Sequence, residues 1–321
     1  MKPFDFRAGE ASGRQTVVLL HSSASSSRQW NALVERLGGR FDVHTVDFHG
    51  HGAQPAWIGR RPLTLADEVR LVEPILRAAG CVHLVGHSYG GAVALKVAEL
   101  HPQSVRGLVV YEPVLFPWLF ADDPSASALQ EILAVSGAVE RHVRRGEVHA
   151  AAAVFVNYWS GAGAWEQLLP SRQDAIAARV RAVQPHFGAL YREDFVRIQA
   201  LAERSLLYVT GTATAASTRR LGALARNALP RASHEELAGA GHMGPITHEA
   251  EFNARIEQFL VALAAPEIAS HRKVAWKLRT SSLDSPCRSR TQSGATPART
   301  PRAAGRPGSG SAHRRSRTAR S

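Results

Sequence analysis

The sequence of 321 residues predicts an α/β protein: a mostly parallel central sheet flanked by helices, with a helical segment inserted between two of its strands. Three observations predict it. Short apolar runs alternate with helical patterns from residue 16 to residue 111, an order that implies parallel strands joined by crossover helices. The alternation stops between about residues 124 and 204, where the chain turns Ala-rich and helical in pattern, and strand-like residues resume only at Leu206. Within "VHLVGHSYGGAVALKVAEL", residues 82–100, the pattern switches from strand to helix at Ser88, with Gly86, Gly90 and Gly91 crowding the junction.

Taken in order, the apolar runs suited to buried strands are residues 16–20, 41–46, 82–85, 105–111 and 206–210. Thr64 and Asp67 stand three residues apart ahead of an apolar face, a capping box that opens a helix over 65–79. After Ser88 the apolar positions Val93, Val97, Ala98 and Leu100 recur at helical spacing. In the inserted segment, "ALQEILAVSGAVERHV", "VHAAAAVFVNYW" and "QDAIAARVRAV" read as separate amphipathic pieces broken by Gly and Pro. Trp118, Tyr158, Trp159, Trp165, Phe187 and Tyr191 fall in or beside it. Aromatics at such spacing are core residues first, but a lid over a sheet uses the same face for core and ligand. The expected organisation is a core over residues 1–113 and 206–265, a helical cap over 114–205 and a disordered basic tail over 266–321.

The net charge of +12 suggests nucleic acid until it is located along the chain. From Ser270 onward there are 13 Lys or Arg and one acid, Asp284, which leaves 26 basic and 26 acidic residues before it. This Arg-, Ser-, Pro- and Gly-rich tail holds too little apolar surface to offset the entropy of ordering. A solvated extension is the plain reading, so nucleic acid is not an expected partner; an electrostatic arm for RNA, DNA or an acidic surface is the alternative. Two cysteines, Cys81 and Cys287, are too few for a disulfide framework and fit a reducing compartment. No N-terminal apolar run of signal length and no stretch of about 18 apolar residues is present, so a cytoplasmic protein without a membrane partner is expected. The histidines lack acid or cysteine partners at ligand spacing, so no metal site is expected.

Gly86-His87-Ser88-Tyr89-Gly90 fits G-x-S-x-G. That turn projects a serine hydroxyl at the carboxyl end of a strand, where the following helix N-terminus favours developing negative charge. With "VVLLHSSASSSRQW", "DFHGHG", "VRGLVVYEP" and "GAGHM", spread over about residues 17 to 263, the motif resembles the α/β-hydrolase family of the lidded type. The resemblance implies a serine hydrolase that cleaves a small carboxylic ester through an acyl-enzyme, without cofactor or metal. It assigns the nucleophile to Ser88, the base to His242, and the oxyanion hole to the backbone N–H groups of Ser23 and Tyr89. The family more often has His-Gly after the first core strand, where Ser22 stands here. His21, His49, His51 and His87 are expected to be structural or pocket-lining. A serine at the elbow disfavours dehalogenase and epoxide-hydrolase chemistry, which on this fold needs an aspartate there; C–C-bond and lactone hydrolysis and perhydrolysis stay open.

The third member departs from the pattern. Most relatives carry an aspartate shortly after the strand matching residues 206–210, and here that loop reads "GTATAASTRR", with Thr214 near the position and no carboxylate. Glu112, at the end of the strand over 105–111, is the acid expected to complete the order Ser88, Glu112, His242, as in some lidded members. In relatives with the usual aspartate its counterpart serves the lid junction, so Asp47 remains a second candidate. A chain with no acid at all would be a ligand-binding relic with weakened catalysis.

Overall fold

The computed structural model describes residues 13–194, 201 and 204–264, so the tail expected over 266–321 lies outside the described residues. Strands β1 (Thr16–Leu20), β2 (Asp42–Val46), β3 (Val82–His87), β4 (Val105–Tyr111), β5 (Ser205–Gly211) and β6 (Ser233–Leu237) form one sheet. Its order is β2-β1-β3-β4-β5-β6 and every neighbouring pair is parallel. β1 and β3 are buried at every position, which is why they read as continuous apolar runs. The strand missed by that criterion is β6, "SHEEL", an edge strand that buries only Leu237. Its apolar signal is too weak to see.

Alternate residues of each strand face opposite layers. Val17 and Leu19 join Val85 and Val109 under Leu33 and Leu37 of α1 (Asn31–Leu37) and Phe252, Ile256 and Leu260 of α11 (Glu249–Ala264). Val18 and Leu20 join Leu84 and Val110 under α2 (Leu65–Ala79), α3 (Tyr89–Leu100) and α9 (Ala216–Ala228). Each such Leu or Val, fully buried, contributes roughly 1.5–3 kcal/mol. The capping box at α2 forms as its spacing predicts: the Asp67 carboxylate accepts from Thr64 N at 3.0 Å and from Thr64 Oγ1 at 2.7 Å.

Between β4 and β5 the chain inserts α4 (Phe116–Asp122), α5 (Ser127–Arg144), α6 (Val148–Ser160), α7 (Pro170–Ala177) and α8 (Val180–Tyr191). The piece read as one helix over "QDAIAARVRAV" is two, α7 and α8. Ile176, Val180, Val183 and Phe187 keep helical spacing across the turn at 178–179, so periodicity alone could not mark it. After β6 follow a loop, the short α10 (Gly244–Thr247) and α11. Among the described residues no helix is long and apolar enough to cross a membrane.

Candidate active site

Ser88 sits between β3 and α3 at φ +56° and ψ −116°. A residue with a Cβ rarely adopts this conformation, which costs of order 1–3 kcal/mol. Neighbouring glycines make the turn sterically possible: a Cβ on Gly86 would lie 2.4 Å from Gly90 O, and one on Gly90 would lie 2.2 Å from Leu20 O. A bond of 2.9 Å from Ser88 N–H to Tyr111 O ties the turn to β4. Because the obstacle at Gly90 is backbone of β1, Gly90→Ala is expected to destabilise by about 3 kcal/mol, at the upper end of overpacking costs. Thermal unfolding should show a midpoint lowered by roughly 6 °C or more, and an unchanged midpoint would contradict this account.

Three side chains far apart in sequence meet at the carboxyl edge of the sheet. His242 Nε2 lies 2.8 Å from Ser88 Oγ and His242 Nδ1 lies 2.7 Å from Glu112 Oε2. A carboxylate only accepts, so the proton sits on Nδ1 and Nε2 offers its lone pair to the serine hydroxyl. Glu112, itself at φ +43°, also accepts from Gly211 N–H at 2.8 Å and from Thr214 Oγ1 at 2.8 Å. The hydroxyl near the position of the usual aspartate thus serves a carboxylate arriving from β4. Asp47 does not compete, because its carboxylate accepts from Ser27 N–H at 2.7 Å and Ala53 N–H at 2.9 Å and braces the loops there.

The loop after β1 is wired to the same place. Gln29 Oε1 accepts from Ser22 N–H at 3.1 Å and from Ser22 Oγ at 3.0 Å. Its amide nitrogen donates to His87 Nδ1 at 3.0 Å, and His87 Nε2–H donates to His242 O at 2.8 Å. Among the described residues neither Ser23 N–H nor Tyr89 N–H has an acceptor. Gln29, His186, Trp159 and Thr214 all contribute contacts that sequence patterns did not assign. Gln29 lay within a quoted motif and Trp159 among the insertion aromatics, but His186 gave no signal.

The insertion covers this edge. Ser88, His242 and Glu112 are 6%, 2% and 1% exposed, so the constellation is dry. Trp159 of α6 packs on the imidazole, ring centroids 4.0 Å apart and planes tilted by 30°. Val114, Phe116, Phe155, Phe187 and Leu190 wall a cavity of about 20 Å³ in front of Ser88, whose other polar lining is Ser23 and His186. That is room for one or two waters. Among the described residues no group of three His, Cys, Asp or Glu side chains could hold a metal.

Burial sets the histidine electrostatics. His21 donates from Nδ1 to Ser22 O at 2.7 Å and accepts Phe48 N–H at 3.2 Å. His51 donates to His49 O at 3.0 Å and accepts Ala24 N–H at 3.0 Å. Each ring is satisfied when neutral, and burial pushes both down to about 3; burial likewise lowers His83 to about 4 and holds His87 well below the usual range. His49 instead packs edge-on against Trp57.

A depressed folded-state value means that the unfolded chain binds protons first. Stability from these rings is present above the ordinary value of 6.5 and is lost as pH falls toward 3, at up to about 1.4 kcal/mol per pH unit for each ring. Glu68 opposes them: burial raises it from 4.5 to about 7, so its contribution is present below 4.5 and lost as pH rises through 7. With His186, which burial also holds well below its usual value, five rings outweigh one acid. The unfolding midpoint is expected to be lower at pH 5 than at pH 7.5, and an equal or higher midpoint at pH 5 would contradict the assignment.

A six-stranded parallel sheet flanked by helices, with a helical insertion between β4 and β5, defines the class, and residues 17–255 match the alpha/beta hydrolase family. The chain belongs to that family. Over 97 residues, 30% of this chain and 36% of the other, it is 34% identical to a pimeloyl-acyl-carrier-protein methyl ester esterase of Edwardsiella ictaluri. Over 106 residues, 32% of this chain and 39% of the other, it is 33% identical to lipase LipV of Mycobacterium tuberculosis. The chain therefore spans little more than a third of these curated relatives. The crystal structure of MGS-M2, an alpha/beta hydrolase enzyme from a Medee basin deep-sea metagenome library, matches with a TM-score of 0.65. At 16% identity over 87% of this chain and 95% of that one, the likeness shows the fold alone.

Proposed function

We propose that the protein is a serine hydrolase that cleaves a small carboxylic ester through an acyl-enzyme on Ser88. The observation that carries the reading is the unbroken relay from Glu112 through His242 to Ser88 Oγ, with links of 2.7 and 2.8 Å. As Ser88 Oγ attacks the carbonyl carbon, His242 Nε2 takes its proton, and Glu112 steadies the imidazolium. The N–H groups of Ser23 and Tyr89 hold the oxyanion. His242 then protonates the departing alcohol, and a water activated by the same ring releases the acid. The reading of the chain as a binding relic rested on a missing acid, and Glu112 fills that role.

Residues 114–205 act as a cap in this proposal. A cavity of about 20 Å³ cannot hold an ester, so substrate entry displaces α6 or α8. The apolar and aromatic walls favour a compact, uncharged acyl group, since a charged one would be buried without a partner. The test is a fluorophosphonate probe followed by intact mass, with p-nitrophenyl acetate, butyrate and hemisuccinate as substrates. Labelling at Ser88 and turnover of the first two with little of the third is the expected result. Absence of both labelling and turnover would sink the reading.

A further inference from the structure

We propose that His186, carried by α8 of the insertion, is a positioning residue that assembles the oxyanion hole when α8 lies over the sheet. This rests on the serine-hydrolase reading above. The two donors of that hole come from separate elements: Ser23 follows β1 and Tyr89 opens α3. A single side chain touches both residues. His186 Nδ1 lies 2.8 Å from Ser23 Oγ, and its ring stacks on that of Tyr89 with centroids 3.7 Å apart and planes within 5°. Its other face stacks on His51 at 4.7 Å and 17°, and His51 Nε2 accepts the N–H of Ala24, the residue after Ser23.

His186 is 1% exposed and shares the cavity with Ser88. Its helical neighbours Val183, Phe187 and Leu190 are all apolar, and a phenylalanine would fill the same slot between two rings. What a hydrocarbon ring cannot supply is a nitrogen at Ser23. Burial holds the imidazole well below its usual value, so it is neutral and pairs with the Ser23 hydroxyl through Nδ1. Nε2 lies 3.6 Å from Glu68 Oε1, too far for a hydrogen bond, and makes none among the described residues. Leaving a buried ring nitrogen unpaired is costly, and the ring bears that cost while keeping one hydrogen bond, to Ser23. The bond fixes Ser23 next to Ala24, which holds φ +58°, and so fixes the direction of the Ser23 N–H. Where substrate entry displaces α8, Ser23 loses this tether, and the return of α8 rebuilds the hole around the bound carbonyl.

The experiment compares His186→Phe, which keeps the stack without the nitrogen, with His186→Asn, which keeps an acceptor without the stack, and with Ser23→Ala. Removing an oxyanion donor outright costs about 10²–10³ in kcat, so loosening one should cost about 10–100-fold. His186→Phe and Ser23→Ala are each expected to lower kcat by that much with KM within about threefold, and the double variant to be no worse than either alone. His186→Asn should recover part of the loss. Affinity for a trifluoromethyl ketone, whose adduct carries the oxyanion, should fall in step with kcat.

Unchanged kcat in both single variants, additive losses in the double variant, or an unchanged ketone affinity would each overturn the proposal. If His186→Phe does not fold, Ser23→Ala reads the same contact from the core side. Wild-type protein inert to fluorophosphonate would sink the hydrolase reading and this inference together. Wild type and His186→Phe labelled at equal rates would sink the inference alone.

Discussion

Replacing Ser88 with alanine is expected to lower turnover of a p-nitrophenyl ester by about 10⁶-fold, the scale on which removing the nucleophile of a serine hydrolase acts. What remains is the contribution of the oxyanion donors and of binding. The loss should fall on kcat, because the hydroxyl lies 2.8 Å from His242 Nε2 and contributes a bond made only during reaction. Alanine retains a Cβ at φ +56°, so the backbone strain persists and the unfolding midpoint should move by only about 2 °C. Ser88→Gly provides the contrast: relieving the positive-φ strain is worth about 1 kcal/mol, so the glycine variant should be equally inactive and measurably more stable. An alanine variant within tenfold of wild-type turnover would remove Ser88 from the mechanism.

Glu112→Gln is expected to lower kcat by about 10⁴-fold with KM little changed, as for an acid-to-amide change in a triad. Three donors converge on this carboxylate: Gly211 N–H on Oε1, and Thr214 Oγ1 and His242 Nδ1–H on Oε2. An amide accepts on one side only. The Gly211 N–H belongs to β5 and cannot turn, so the amide oxygen faces it and the NH₂ faces His242. The imidazole must then place its proton on Nε2, where it repels the serine proton instead of accepting it. Thr214→Val removes one donor and leaves the charge, so its loss should be no more than about tenfold. A Glu112→Gln variant within tenfold of wild type would return the search to Asp47, and kinetics of the two variants side by side decide the matter.

The elbow was legible because its causes are local. Gly86 and Gly90 are needed where any Cβ would strike a backbone carbonyl, and that demand appears in the sequence as spacing. The buried strands were legible for a related reason: a strand covered on both faces must be apolar throughout. β6 escaped because an edge strand has no such duty, and the turn between α7 and α8 escaped because the apolar spacing runs through it. Glu112 could be nominated from its place at a strand end but not chosen, since only the pairing of β4 with β5 brings Thr214 and Gly211 to its carboxylate.

His186 lies further from legibility still. Its helix reads as an apolar face, and its relation to Ser23 spans 163 positions. By itself, the order of residues determined five of the six strands, the nucleophile turn and the histidine ahead of the closing helix, because near-neighbour sterics and hydrophobic period act over a few residues. Which carboxylate meets that histidine, and which ring of the insertion braces the donors, only the packed molecule decided, because hydrogen bonds between remote segments depend on how layers dock and leave no periodic trace along the chain.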